Sequence, residues 1–151
     1  MSDYSLSYQD NVTLVTLHKI PNQIKVISEV FALVSQKKIN VDMISQTAPY
    51  METVSISFSI EESAVSHIIE ILSLLKEKAP ELKTDIVSNL SKVVIQGEEM
   101  KTASGIAAKV FLALNGLDTD LISITTSETE ISFLVDESKA NAVLEKLESE
   151  F

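Results

Sequence analysis

Two short stretches of the chain place polar side chains at the start of an apolar segment. INVDMIS, residues 39–45, carries Asn40 and Asp42, and DTDLISI, residues 118–124, carries Asp118 and Asp120. A carboxylate in such a place can bind the ammonium of a small zwitterion, while free N–H groups at a nearby helix N-terminus bind its carboxylate. The loops KIPNQIK, residues 19–25, and EEMKTASG, residues 98–105, lead into candidate helices that would supply those groups. The same polar residues could instead only shape the start of a strand, and both interpretations stay open at this point.

The other residue types favour binding over catalysis. The chain has no cysteine and two histidines, so thiolate chemistry is ruled out and a zinc site is nearly excluded. Both His18 and His67 are expected at the surface. Three scattered glycines cannot form a phosphate-binding loop or a dinucleotide fingerprint. We therefore predict no cofactor and no catalytic site, which disfavours an independent enzyme.

The charge of the chain limits its partners. With 22 acidic and 12 basic residues its net charge is −10, whereas nucleic-acid surfaces need clustered basic residues. No apolar run is long enough to span a membrane, and MSDYSLSYQD lacks the features of a signal peptide. We expect a cytoplasmic protein with no nucleic-acid partner and no membrane contact.

The chain contains one pattern twice. Residues 29–45 align on residues 109–125 at an offset of 80, which places Phe31 on Phe111 and Ile44 on Ile124. VSISFSI, residues 54–60, aligns on TEISFLV, residues 129–135, at an offset of 75. In both copies apolar residues alternate in the strand segments and recur at helical spacing between them. Each copy therefore predicts the order strand, helix, strand, strand, helix.

The two copies differ in how they end. ELKTDIVS, residues 81–88, gives the first copy a closing strand and hence a ferredoxin-like βαββαβ unit. The second copy lacks this strand, and the alternating segment YSLSYQ, residues 4–9, is expected to supply it. The predicted fold class is α+β, with two interleaved units that each have an antiparallel sheet with helices on one face. Their boundaries are residues 11–90 for unit 1 and residues 91–151, completed by strand 4–9, for unit 2.

With this architecture, the chain resembles the paired ACT domains that form the regulatory half of aspartate kinase, the first enzyme of lysine, threonine and methionine synthesis. The resemblance runs from about Val12 to Phe151. It is most specific in INVDMISQ, in KVVIQGEEMKTASGIAAKVF, and in TSETEISFLVD, which is similar to the family pattern STSEIKISVLVD. It implies that a lysine or threonine effector binds where modules meet, often between chains, and inhibits the kinase. It also implies a homodimer through the ACT units and a kinase catalytic domain as a partner, in cis or in trans.

The resemblance implies effector-binding residues in both copies. In the first copy these would be Asn22, Gln23, Ile39, Asn40, Asp42 and Gln46. In the second copy they would be Lys101, Gly105, Asp118, Asp120, Ser127 and Glu128.

The two implied pockets depart from the family pattern in different ways. The family usually has an aspartate at Asn22 and a Pro-Gly pair at Ile24 and Lys25, so the first copy lacks the glycine that lets backbone approach a ligand. The second copy keeps that glycine at Gly105, although Ser104 replaces the usual proline. Asp118 and Asp120 stand where the family usually has asparagine. We therefore expect the two pockets to be inequivalent.

The leading hypothesis is an allosteric amino-acid sensor of the aspartate kinase type. The alternative is an ACT-type assembly or dimerisation scaffold, or a free-standing ACT protein, that binds neither lysine nor threonine.

Overall fold

The structure, a computed structural model, describes residues 3–151, and these residues form two compact units. We call Val12–Ser88 the first module. The second module consists of Asn89–Phe151 and the N-terminal stretch that ends at Asn11. The chain is therefore interleaved, because its N-terminal stretch belongs to the same unit as its C-terminal part.

Two long strands contribute to both modules. Strand β1 is Ser5–Pro21 and strand β4 is Lys83–Gln96, and the two are hydrogen-bonded neighbours. The sequence predicted four shorter strands here. Instead each strand continues through one asparagine with a positive φ, 60° at Asn11 and 59° at Asn89. Asparagine tolerates this left-handed conformation better than most residues. The alternation of side chains between the two faces of the sheet therefore shifts at each asparagine without ending the strand.

The first module is completed by two helices and two strands. These are α1 (Ile24–Gln36), β2 (Ile44–Gln46), β3 (Thr53–Glu61) and α2 (Val65–Lys78). Its strands lie in the order β2-β3-β1-β4, and β3 is antiparallel to both β1 and β2. The contacts Thr13–Ser88 and His18–Asp85 run in opposite directions along β1 and β4, so this pair is antiparallel too. This is the order of a ferredoxin-like sheet, as predicted.

The core of the first module follows the predicted periodicities with one exception. Ile56 and Phe58 on β3 are 2% and 1% exposed, and Val30 and Val34 on α1 cover them. On α2, the side chain of Ile69 is 52% exposed, whereas Ile71 is buried. Ile69 lies three residues before the buried Leu72 and Ile71 lies three residues after the buried Ile68, so both fit a helical period and packing selects between them.

The second module has the same architecture. It contains α3 (Ile106–Leu114), β5 (Ser123–Thr126), β6 (Glu130–Asp136) and α4 (Ala140–Glu150), and its strands lie in the order β1-β4-β6-β5. Phe133 on β6 is fully buried, and Tyr4 and Leu6 from the N-terminal stretch pack against the same core. The Asp136 side chain accepts a hydrogen bond of 2.9 Å from the Ser138 N–H and so caps the short 3-10 turn Glu137–Lys139 that leads into α4.

The prediction that the two polar segments, residues 39–45 and 118–124, are strands over their full length is wrong. The β-ladder begins only at Ile44 in the first module and at Ser123 in the second. Before these points the backbone makes isolated bonds, from Asp42 N–H to the Ser59 carbonyl at 3.1 Å and from Ile122 N–H to the Leu134 carbonyl at 2.9 Å. In the segment 39–43, Ile39 and Met43 are buried and Val41 is partly buried, whereas Asn40 and Asp42 are exposed. Burial thus alternates as in a strand, although no ladder forms before Ile44.

The lengths of the helices and the placement of the acidic and histidine side chains also bear on function. Within residues 3–151 no helix is both long and apolar enough to cross a bilayer. No group of three or more histidine, aspartate or glutamate side chains in the described residues is arranged to hold a metal ion.

Candidate functional site

Four predicted residues of the second module meet at one cleft. A cavity of about 420 Å³ opens beside the start of α3, and Lys101, Gly105, Ser127 and Glu128 all line it. Its apolar wall includes Met100, Ile106 and Ile131. The cleft thus collects a cation, a carboxylate, a hydroxyl group and a glycine that borders the start of a helix.

The loop before α3 places Lys101 and Gly105 at this cleft. A short 3-10 turn, Glu98–Lys101, follows β4, and Ala103 N–H bonds the Glu99 carbonyl at 2.9 Å. Gly105 then has φ 83°, a left-handed conformation that favours glycine, and its carbonyl accepts the bond from Lys109 N–H at 2.9 Å. No side chain caps α3, so the N–H groups of its first turn stay available.

The opposite side of the cleft is the turn between β5 and β6. Ser127 N–H donates to the Glu130 carbonyl at 2.8 Å, and this bond closes the turn that carries Glu128. Lys101 Nζ lies 2.8 Å from a Glu98 carboxylate oxygen, and the two side chains are 48% and 80% exposed. An exposed pair of this kind is weak, so Lys101 can exchange Glu98 for a ligand at small cost.

Two predicted residues of the second module lie elsewhere. The Asp118 carboxylate is fully exposed and lies 3.7 Å from Lys139 Nζ. Asp120 is also exposed, and neither aspartate lines the cleft. The structure therefore brings together four of the six residues.

The first module does not gather its six predicted residues in one cavity. Asn22 N–H donates to the Glu52 carbonyl at 3.0 Å, which ties the β1–α1 loop to the β2–β3 hairpin. Gln23 is the residue before α1 and has an extended backbone with φ −131°. Gln46 is exposed on β2, opposite Ile56, and Asp42 is exposed in the segment before it.

Ile39 and Asn40 line a separate small cavity. It has a volume of about 270 Å³ and also contacts Lys37, Lys38 and His67. Ile39 is 8% exposed and belongs to the core, so its side chain is not free to contact a ligand. Lys37 is bonded to Glu70 at 3.0 Å, and this bond and the lysine charge lower the pKa of Glu70.

Sequence reasoning missed a cavity of about 880 Å³ in the first module. It lies where β1 ends and β4 begins, and residues of α1 and α2 complete its walls. His18 lines this cavity, and its side chain is partly exposed. Its Nε2 atom lies 2.5 Å from a carboxylate oxygen of Asp85, so the imidazole is bonded to another side chain. A partial signal in the sequence is the group of three lysines near Pro80, which are Lys76, Lys78 and Lys83.

Comparisons with known proteins agree with this architecture. A family model for the ACT domain matches residues 93–151. The aspartokinase of Bacillus sp. (strain MGA3) is 34% identical over 148 residues, which are 97% of this chain and 36% of the relative. A solved structure of aspartokinase alpha and beta subunits has a TM-score of 0.84 at 26% identity and covers 97% of this chain and 96% of that chain. Aspartokinase III of E. coli in complex with lysine and aspartate has a TM-score of 0.70 at 24% identity, covering 96% of this chain and 32% of that chain.

The fold and these matches place the chain in the ACT domain family. Within that family its relatives are aspartokinases, to which it is similar over nearly its whole length. The chain spans about a third of the length of the curated relatives it matches, 36% and 35% for two of them.

Proposed function

We propose that this chain is an allosteric amino-acid sensor, which binds lysine or threonine and thereby controls an aspartate kinase in aspartate-family amino-acid biosynthesis. The observation that carries the proposal is the cleft of the second module, where Lys101, Gly105, Ser127 and Glu128 meet. The lysine present in the solved aspartokinase III of E. coli supports an amino acid as the effector.

The cleft has a group for each charged part of an amino acid. The effector carboxylate binds the free N–H groups at the start of α3 and the ammonium of Lys101. The effector ammonium binds the carboxylate of Glu128, and Ser127 offers a hydroxyl group beside it. A volume of about 420 Å³ lies in the usual range of small-molecule sites, roughly 300–1,000 Å³.

Regulation needs a partner that responds to the effector. We expect a homodimer formed through the ACT modules, and a kinase catalytic domain that is attached in cis or bound in trans. The effector would favour one packing of these partners over another, with a coupling free energy of about 1–3 kcal/mol. The setting we propose is the cytoplasm, where the amino-acid pool is sensed.

Thermal unfolding with each common amino acid tests the proposal. Lysine or threonine should raise the unfolding midpoint, because a ligand present at about 100 times its Kd stabilises the folded state by roughly 2.7 kcal/mol. Glu128→Gln should remove about half of this shift, whereas the control Glu145→Gln, an exposed position on α4, should keep it. If no amino acid shifts the midpoint at millimolar concentration, the sensor proposal is wrong.

One observation favours assembly as a second candidate function. Ile24, Tyr50 and Met51 in the first module are 81%, 75% and 80% exposed, and the bond from Asn22 to Glu52 holds the two loops that carry them together. An exposed apolar group of this kind is typical of an interface. Sedimentation at several protein concentrations checks it, since Met51→Lys should weaken self-association while Leu112→Lys, exposed in the second module, should not. Self-association without any amino-acid response would favour the scaffold function.

A further inference from the structure

The 880 Å³ cavity of the first module has the build of a binding site. It is about twice as large as the cleft of the second module, and none of the predicted effector residues lines it. Leu17, Ile20 and Val30 form an apolar floor, and Leu75 and Leu82 extend it towards the opening. Concave apolar sites with a few charged groups at the rim are the usual form of small-molecule sites.

Positive charge is concentrated around this floor. Lys19, Lys76, Lys78 and Lys83 line the cavity, which is four of the 12 lysines in a chain whose net charge is −10. Within residues 3–151 none of these four forms an ion pair. Lys76 and Lys78 lie in the last turn of α2, where they also offset the helix dipole. Lys19 and Lys83 lie on strands and have no such role.

The acidic residues of the cavity do not cancel this charge. Three carboxylates line it, and one of them, Asp85, is bonded to His18 at 2.5 Å. Together Asp85, Glu29 and Glu81 make three negative charges against four lysines, and four minus three leaves an excess of one positive charge. An anionic ligand would balance this excess.

We propose that this cavity binds a small organic anion that has an apolar body and a negatively charged group such as a phosphate or a carboxylate. The apolar body lies on the floor of leucine, isoleucine and valine side chains, and the charged group contacts the lysines at the rim. The site is separate from the amino-acid cleft of the second module, so it stands or falls independently of the proposed function.

Amide chemical shifts in the whole chain test the site with three matched probes. The probe 1-naphthyl phosphate carries both an apolar ring and a dianion, inorganic phosphate carries the charge alone, and 1-naphthol carries the ring alone. We expect saturable shifts from 1-naphthyl phosphate at residues 17–21 and 82–85, and weaker binding of the other two probes. Added salt should lower the affinity for 1-naphthyl phosphate, because the contacts are charged.

Paired lysine substitutions decide whether the rim binds the anion. The variant with Lys19→Gln and Lys83→Gln should lose affinity for 1-naphthyl phosphate by about fivefold or more. The control with Lys139→Gln and Lys146→Gln makes the same charge change at lysines paired with Asp118 and Glu150, and should stay within about twofold. Circular dichroism verifies that both variants fold. The proposal is overturned if the shifts lie elsewhere or do not saturate, if both variants lose affinity equally, or if 1-naphthol binds as tightly as its phosphate.

Discussion

The two modules place equivalent residues in different environments. Phe31 on α1 packs against Phe58, with ring centroids 5.4 Å apart, whereas its counterpart Phe111 on α3 is 46% exposed. The residue before α1 is Gln23 with an extended backbone, and the residue before α3 is Gly105 with φ 83°. Both modules nevertheless have the same strand order. The apolar pattern therefore determines the fold, while the loop before each first helix determines what kind of cavity forms beside it.

The difference extends to the cavities. In the second module the predicted residues of two loops line one cleft. In the first module the predicted residues are spread over a loop, a small cavity and a short edge strand. A larger cavity with a positive rim lies at the end of β1 instead. The two copies therefore offer cavities of different size and lining.

The largest expected difference between the modules lies in the two aligned phenylalanines. Phe31→Ala should lower the free energy of unfolding by about 2 kcal/mol, because it removes a ring that packs on the core. Phe111→Ala should cost less than about 1 kcal/mol, since nearly half of its side chain is already in water. Urea unfolding measures both values. Equal costs would mean that the helices of the two modules are packed alike.

The next difference concerns effector affinity. Glu128→Gln should weaken binding of lysine or threonine by about tenfold, because the amide cannot balance the effector ammonium. Asp42→Asn, the matched change in the first module, should alter affinity by less than about twofold. Calorimetric titration gives both numbers. If Asp42→Asn weakened effector binding more than Glu128→Gln did, the effector site would lie in the first module instead.

A smaller effect is expected at the glycine before α3. Gly105→Ala should cost about 1 kcal/mol, because alanine is strained at φ 83° although nothing lies within 4 Å of its added methyl group. Gly116→Ala is the control, since that position also has open space and lacks a positive φ, and its effect on the unfolding midpoint should be near zero. A neutral Gly105→Ala would show that this loop readily takes another conformation.

The smallest effects are opposite responses to pH. The hydrogen bond and the charge of Lys37 lower the pKa of Glu70. The ionised carboxylate therefore stabilises the first module at pH values above the pKa of Glu70 in the unfolded state. This stabilisation is lost as the pH falls through the pKa of Glu70 in the folded state. A hydrogen bond with Asp3, and then its charge, raise the pKa of Glu99. The protonated Glu99 therefore stabilises the second module at pH values below the pKa of Glu99 in the unfolded state. This stabilisation is lost as the pH rises through the pKa of Glu99 in the folded state.

Carboxyl carbon shifts during a pH titration measure the two groups separately. We expect Glu70 to titrate at lower pH and Glu99 at higher pH than an ordinary glutamate. Glu70→Gln and Glu99→Gln should each remove one of these pH dependences and leave the other in place. If the two carboxyl groups titrate together, the modules do not differ in this respect.

The sequence predicted the fold because burial follows simple periods. Phe58 and Phe133 stand in alternating strands, and each is buried where the alternation puts it. The continuity of β1 and β4 was not predictable, because it depends on the backbone conformation of Asn11 and Asn89 and on the strand that pairs with each. Packing likewise decided between Ile69 and Ile71, since both fit a helical period.

The candidate site was less predictable than the fold. Gly105 and Glu128 belong to separate loops, and only the tertiary structure brings both to one cleft. Asp118 and Asp120 are two residues apart, as Asn40 and Asp42 are, yet Asp118 lies beside Lys139 and neither aspartate lines the cleft. The lysines of the large cavity come from β1, α2 and β4, so no local pattern in the sequence marks them as a group. Effector binding by the twelve residues stays a prediction.

The central claim is that the second module carries the amino-acid site, and amide chemical shifts during a titration with lysine and then with threonine test it most directly. We predict that one of the two produces saturable shifts at residues 100–107 and 126–128, around the cleft, with smaller changes in the first module. Saturable shifts centred on residues 39–46 or on residues 22 and 23, with the cleft unaffected, would contradict the account.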